Sequence, residues 1–222
     1  MRNNQSEDIH RKIWNEIYRK ESISQDIQQD IPEIVKIFKD KNVKRVLDLA
    51  CGSGRHVLYL AKNEFEVYGI DFSEEGIKSA ISLLQEKNIQ ANLIVGSMFE
   101  KLPYENDFFD ALISIRSLYH GTIENIRNAI QEIERVLKPN GFIFITVRKK
   151  IPNEMRLPFR IVAPQTYIPL EGKEKGVIHY LFNKNSLLNE FKGFKIHKFW
   201  IASGPKEWEA YYCLLGELKG NY

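Results

Sequence analysis

Only two of the 222 residues are cysteine, Cys51 and Cys213, too few for a disulfide framework or for a paired metal-ligand spacing. No metal site is expected, and both thiols suit a reducing compartment, where free cysteine packs as a small hydrophobe. Charge of one sign is missing too. The net of +3 is too weak to argue for a nucleic-acid partner. No apolar run approaches the ~20 residues of a membrane span, and the opening MRNNQSEDIHRKIW is too polar for a signal peptide. A cytoplasmic protein without membrane contact is therefore expected. Repeats and low-complexity linkers are absent as well, so residues 1–222 read as one domain.

What is present is alternation. Ile9, Ile13 and Ile17, with Trp14 and Tyr18 alongside, mark an amphipathic helix over 8–20, and Ile31 to Lys39 marks a second. Strands are then expected at Lys44–Leu49, Glu64–Ile70, Asn92–Val95, Asp110–Ile115 and Phe142–Val147. Between them lie helices at Arg55–Asn63, after the N-cap Ser73, and from Ile123 to Leu137, where Pro139 and Gly141 stop the last. Parallel strands need crossovers, so this order predicts a doubly wound α/β sheet. A loop-rich insert over 150–176 and a short helix near Ser186–Phe191 follow. Two strands, Phe194–Ile201 and Glu209–Leu218, flank Gly204-Pro205 and read as an antiparallel hairpin.

The stretch VLDLACGSGRH, 46–56, places glycines where the first strand turns into a helix. It lacks GxxxxGK[ST], which excludes a triphosphate loop, and the third glycine of GxGxxG is replaced by Val57. Asp71, ending the next strand, can accept hydrogen bonds from both hydroxyls of a ribose. Asp48 would repel a pyrophosphate and would suit a cationic ligand. Together they point to a positively charged nucleoside.

At these residues the chain resembles the class I S-adenosylmethionine-dependent methyltransferases, in particular the small-molecule, tellurite-resistance-like branch. The matching motifs are VLDLACGSG (46–54), VYGIDFS (67–73), LPYENDFFDALIS (102–114) and RVLKPNGFIFIT (135–146), in the family's order and spacing over about half the chain. The resemblance implies a Rossmann-like, seven-stranded, mostly parallel sheet closed by a C-terminal antiparallel hairpin, with N-terminal helices. Its cofactor would be S-adenosylmethionine, leaving as S-adenosylhomocysteine. Asp48 would hold the methionine ammonium, and Ala50, Cys51, Gly52, Ser53 and Gly54 would let the backbone lie against methionine and ribose. Asp71 would take the ribose hydroxyls, Phe72 would pack on adenine, and Ser97 with Met98 would stand where the family usually offers an acidic residue to the adenine amine. Arg116 would lie at the carboxyl edge of the fourth strand. Cys51 itself reads as a packing residue, not a nucleophile.

Methyl transfer from a sulfonium is an in-line displacement with a good leaving group, so positioning is the main device and a general base is required only if the acceptor must lose a proton. Tyr119 and His120, directly after the fourth strand, are the catalytic candidates. Trp14 and Tyr18 read either as part of a lid over the cofactor, formed by residues 1–40, or as core anchors of their helix. The segment 150–182 is read as a substrate-side insert, with Tyr167, His179 and Tyr180 as candidate acceptor contacts. His56 reads as a helix or surface residue, and Arg148, Lys149, Lys150, Lys173 and Lys175 as a solvated face. The expected partner is a small-molecule acceptor, with the chain a monomer or homodimer. An RNA or protein methyltransferase, or a non-catalytic protein binding the cofactor or its product, would share the cofactor motifs. Neither an added RNA-binding module nor an (N/D)PP(Y/F) motif is present to favour the nucleic-acid reading.

Overall fold

Near-continuous burial along the central strands explains how the sheet acquires two apolar faces. A computed structural model describes residues 2–20, 26–149, 158–204 and 209–220. Its helices are α1 (Arg2–Lys20), α2 (Ile31–Asp40), α3 (Arg55–Lys62), α4 (Glu74–Glu86), α5 (Ile123–Val136) and α6 (Lys184–Glu190). Its strands are β1 (Arg45–Leu49), β2 (Glu66–Asp71), β3 (Asn92–Val95), β4 (Phe109–Ile115), β5 (Leu137–Arg148), β6 (Phe159–Ala163), β7 (Thr166–Pro169), β8 (His179–Tyr180), β9 (Phe194–Ser203) and β10 (Ala210–Leu218). Side chains alternate across a strand. Val46, Ala111, Ile113 and Phe144 accordingly pack with α2 residues Ile34 and Phe38, whereas Leu47, Leu112, Ile143 and Ile145 pack with α5 residues Ile126, Ile130 and Ile133.

The large sheet runs β3-β2-β1-β4-β5-β10-β9. Strands β1 to β5 pair in parallel, and β10 runs antiparallel to both its neighbours. This is the seven-stranded, mostly parallel sheet with a C-terminal antiparallel pair that the sequence implied. The order reverses between β1 and β4, whose carboxyl ends open the crevice where α/β proteins bind ligands. Among the described residues, no helix is long and apolar enough to cross a membrane.

Helix starts are set by local caps. Ser73 Oγ accepts from the Gly76 N–H at the head of α4, and Thr122 with Asn125 forms a reciprocal capping box at the head of α5. Helix α1 lies on the α4 N-terminus. There Ser73 Oγ donates to Asn15 Oδ1 at 2.7 Å, and the Glu75 N–H donates to the same oxygen at 3.2 Å. Gly76 keeps that contact close, since a Cβ there would stand 3.2 Å from the Tyr18 ring.

Three local expectations need correction. Helix α1 starts well before residue 8. Strand β5 begins at Leu137, immediately after α5, so Pro139 and Gly141 lie inside the strand and do not precede it. The ladder passes from Phe109↔Leu137 to Ala111↔Phe142 across a register irregularity, and Pro139 falls in that gap, where no N–H is called for. The described part of the insert is a three-stranded antiparallel sheet, β6-β7-β8, and not a loop. Its strands are short, and β7 pairs with β8 across a long connection, a pattern that local periodicity does not register. Pro205, expected in the last turn, and Lys150 lie outside the described residues.

Candidate active site

The turn after β1 is built from residues that tolerate the left-handed region. Gly52 and Gly54 have φ of 54° and 81°, and Ala50 joins them at 62°. For an alanine that conformation costs roughly 1–2 kcal/mol, and neighbouring structure has to hold it. The Cys51 N–H donates to Ile70 O at 3.0 Å, and the Gly52 N–H donates to Asp71 Oδ2 at 2.9 Å. The other Asp71 oxygen accepts from the Ser73 N–H at 2.8 Å. One carboxylate thereby ties the β1 turn to the head of α4. Both glycines are also sterically required. A Cβ on Gly52 would collide with the Tyr18 hydroxyl, and one on Gly54 would stand 2.7 Å from Ala80 Cβ.

Asp48 and Asp71 are both buried at this turn. Burial pushes Asp48 up to about 7, against the pull of Arg55, and pushes Asp71 up to about 6 despite its two backbone donors. Asp48 Oδ2 has no hydrogen-bond partner among the described residues. The same burial pushes the Cys51 thiol well above its usual range, which leaves it an inert packing group.

A cavity of about 530 Å³ opens from the turn and runs beneath α1. At its turn end the wall is Ala50, Cys51, Gly52, Ser53, Asp71 and Phe72, with Ser97 and Met98 beyond β3. Trp14 and Tyr18 close it from α1, and Arg116, Tyr119 and His120 close it from the β4 end. Asp48 and Gly54 sit behind that wall. The Trp14 ring lies 5.2 Å from the His120 ring, so α1 and the segment after β4 meet across the far end. Arg116 is held from several sides. Its N–H donates to Thr146, its guanidinium donates to Gln28 Oε1 at 2.6 Å, and the same group lies 4.6 Å over the Tyr211 ring. His56, buried on α3, accepts from the Gln28 N–H at 3.1 Å and so braces this arrangement from behind.

The insert contributes differently from the expectation. Strand β8 alternates, so His179 and Tyr180 point to opposite sides. His179 faces the cavity end, 4.9 Å from the His120 ring, with Tyr167 stacked on it at 4.9 Å. Tyr180 faces the core, packs on Phe182 and donates to Gln165 Oε1 at 3.3 Å, so it points away from the cavity. Neither His179 nor Tyr167 forms the wall itself. Glu174, from the connection between β7 and β8, stands in front of His179 and does.

Several wall residues carried no signal in the sequence. Arg148 and Lys173, read there as a solvated face, line the cavity. Arg148 ends β5, lies 5.8 Å from the Tyr119 ring and 3.9 Å from Glu209, and leaves its Nε without a partner. His10, Arg55, Glu209 and Tyr211 also reach the wall. Burial lowers His120 to about 3, with His179 adding to the shift, so the imidazole at the far end is neutral. Alternation along β5 and β10 could have drawn attention to Arg148 and Tyr211. No local pattern marks Glu174.

Residues 46–141 match the family described as a methyltransferase domain. The uncharacterized methyltransferase YcgJ of Bacillus subtilis (strain 168) is 29% identical over 126 residues, 57% of this chain and 49% of that protein. Alignments to three curated relatives, this one included, span half of their length or less. The crystal structure of PH0226 from Pyrococcus horikoshii OT3 superposes with a TM-score of 0.72 at 23% identity, over 92% of this chain and 99% of that one. The Burkholderia thailandensis 1,6-didemethyltoxoflavin-N1-methyltransferase, solved with 1,6-didemethyltoxoflavin and S-adenosylhomocysteine bound, superposes at 0.67 with 17% identity, over 86% and 79% of the two chains. At these identities the two superpositions speak for the fold alone. The family match falls on the strands and turns that build the glycine-rich end of the cavity, and over residues 46–141 the chain is similar to methyltransferase domains.

Proposed function

We propose that this protein binds S-adenosylmethionine along the β1 turn and transfers its methyl group to a small molecule held at the far end of the cavity. The observation that carries the reading is the pair of buried carboxylates at the turn, Asp48 and Asp71, one of them with an unpartnered oxygen. Buried charge needs a partner. A ligand with an ammonium, a sulfonium and a ribose, and no phosphate, fits that demand. The bound donor supplies an activated methyl group on sulfur.

The chain's own residues then position and exclude. Asp71 retains lone pairs beyond its two backbone bonds, enough for two ribose hydroxyls. Phe72 and Met98 offer apolar surface to the base, and Ser97 offers a hydroxyl. Asp48 balances the methionine ammonium directly or through water. Helix α1, with Trp14 and Tyr18, shields the reacting centre, where displacement from a sulfonium gains most from orientation and exclusion of water. Tyr119 and neutral His120 face the acceptor and position it. The enclosure beneath α1 supports a small acceptor over a polymer. The Burkholderia thailandensis structure, with a small heterocycle beside S-adenosylhomocysteine, lends the same support.

Calorimetry tests the donor half. S-adenosylmethionine or its demethylated product binds at micromolar order, and no detectable binding of either would end the proposal. Release of S-adenosylhomocysteine across a panel of small metabolites tests the acceptor half. Turnover of RNA or protein alone would overturn the small-molecule reading.

A further inference from the structure

His179 is buried with an acceptor against each ring nitrogen. Val177 O lies 3.0 Å from Nδ1, and Glu174 Oε2 lies 2.8 Å from Nε2. A neutral imidazole carries a single N–H, so one of these contacts would set a lone pair against an oxygen lone pair. Something electropositive has to stand between the ring and one acceptor. Nearby, His120 Nε2 is buried, has no hydrogen-bond partner among the described residues, and lies 4.0 Å from Glu174 Oε1. The three donor atoms all fall within 4.8 Å of one another.

We propose that His120, Glu174 and His179 form a binding site for a divalent transition-metal ion of the zinc type, with one coordination position open to the cavity. Two imidazoles and one carboxylate are a donor set that suits Zn²⁺, and it leaves a fourth position for a further ligand. Tetrahedral bonds of about 2.0–2.2 Å place neighbouring donors roughly 3.4 Å apart. That spacing lies inside the range the three side chains already span, so small rotations complete the site. The Val177 carbonyl keeps the proton of His179 on Nδ1 and turns the Nε2 lone pair toward the ion, the orienting role an outer carbonyl plays for a metal-bound histidine. Arg148, close to Glu174, opposes a cation here, so affinity has to come from the coordinate bonds. His120 and Glu174 belong to the cavity wall, and the open position therefore faces the acceptor space. The assignment of that space rests on the methyl-transfer reading above. An acceptor with a hydroxyl, thiol or amine able to coordinate the ion is the chemical class that fits.

The experiment uses untagged full-length protein, stripped with a chelator, dialysed, and titrated with Zn²⁺ in competition with a chromophoric chelator. One equivalent binds per chain. Removing an outer-sphere partner typically weakens a metal site ~10–100-fold, so loss of a ligand in His120→Ala or Glu174→Gln weakens it by more than about 100-fold. Co²⁺ in place of zinc gives the visible absorption of a four-coordinate site, and His120→Ala abolishes it. His179→Ala opens a hole in a buried position, so the two cavity-facing variants carry the test, with circular dichroism verifying their fold. The proposal fails if no equivalent binds, or if both variants bind as the parent does. It also fails if ¹⁵N NMR in the presence of zinc shows His179 doubly protonated, since a proton then fills the place given to the metal. S-adenosylhomocysteine calorimetry on the same samples separates the two readings. Zinc binding without it would overturn only the donor assignment, and the converse would overturn only the metal site.

Discussion

The two ends of the cavity are built by different means. The turn end comes from one stretch of chain, 48–73, in which most polar groups are met from within the stretch and Asp48 Oδ2 is the exception. Asp71 takes the N–H groups of Gly52 and Ser73, and Cys51 bonds back to Ile70. The far end gathers Trp14, His120, Arg148, Glu174 and Tyr211 from segments that share no local pattern. There, His120 Nε2 and Arg148 Nε are buried without partners. On the methyl-transfer proposal, the turn end would hold the donor and the far end the acceptor.

The sharpest way to break this contrast is at Asp71. Asp71→Ala removes the anchor of two backbone donors and the proposed ribose contacts together. At about 1.5–3 kcal/mol per hydrogen bond to a charged group, S-adenosylhomocysteine affinity should fall by roughly 100-fold or more in calorimetry. A drop below about tenfold would show that the turn does not hold the nucleoside through this carboxylate.

Gly52→Ala comes next. It combines a left-handed φ with a collision against the Tyr18 hydroxyl, and the conformational part alone is worth roughly 1–2 kcal/mol. Thermal melts should show the loss, and the double variant with Tyr18→Phe should recover part of it. No recovery would mean that α1 does not press on the turn.

Protonation gives a smaller effect with a definite sign. Asp48 and Asp71 are raised to about 7 and about 6, well above ordinary carboxyls. Their contribution to the stability of the free protein is present at acid pH, below the unfolded carboxyl range. It is lost as pH rises through about 6 to 7. Binding of the cationic donor needs the ionised forms, so affinity should rise over the same interval, with net proton release in calorimetry near pH 6.5. Asp48→Asn should flatten the upper part of that rise, and an unchanged profile would remove Asp48 from donor binding.

The smallest effect is expected at Tyr180. Tyr180→Phe removes one hydrogen bond to Gln165 on the core side of β8, costing about 1 kcal/mol of stability and leaving kcat/KM for the acceptor unchanged. A change in KM would return this side chain to the acceptor pocket.

The parallel core was legible because each of its signals is local. Val46 and Leu47 alternate in kind with the faces they meet, Ser73 and Thr122 cap as their types predict, and a strand, turn and helix follow within 46–62. The three-stranded insert was not legible. Thr166 pairs with Tyr180 across a long connection, and nothing in either segment names the other. The solvated reading of Arg148 failed for a related reason. Its basic neighbours in sequence suggested exposure, while the β5 pleat turned its side chain toward Tyr119 and Glu209.

By itself, then, the sequence determined the parallel sheet and the glycine-rich turn, since apolar strand runs, capping and left-handed glycines act over a few residues. The tertiary structure alone decided what meets at the other end. It turned His179 toward the cavity and Tyr180 toward the core, brought Glu174 between two histidines, and laid α1 over the opening. Such juxtapositions follow from the docking of elements far apart in the chain, which no local pattern of residues encodes.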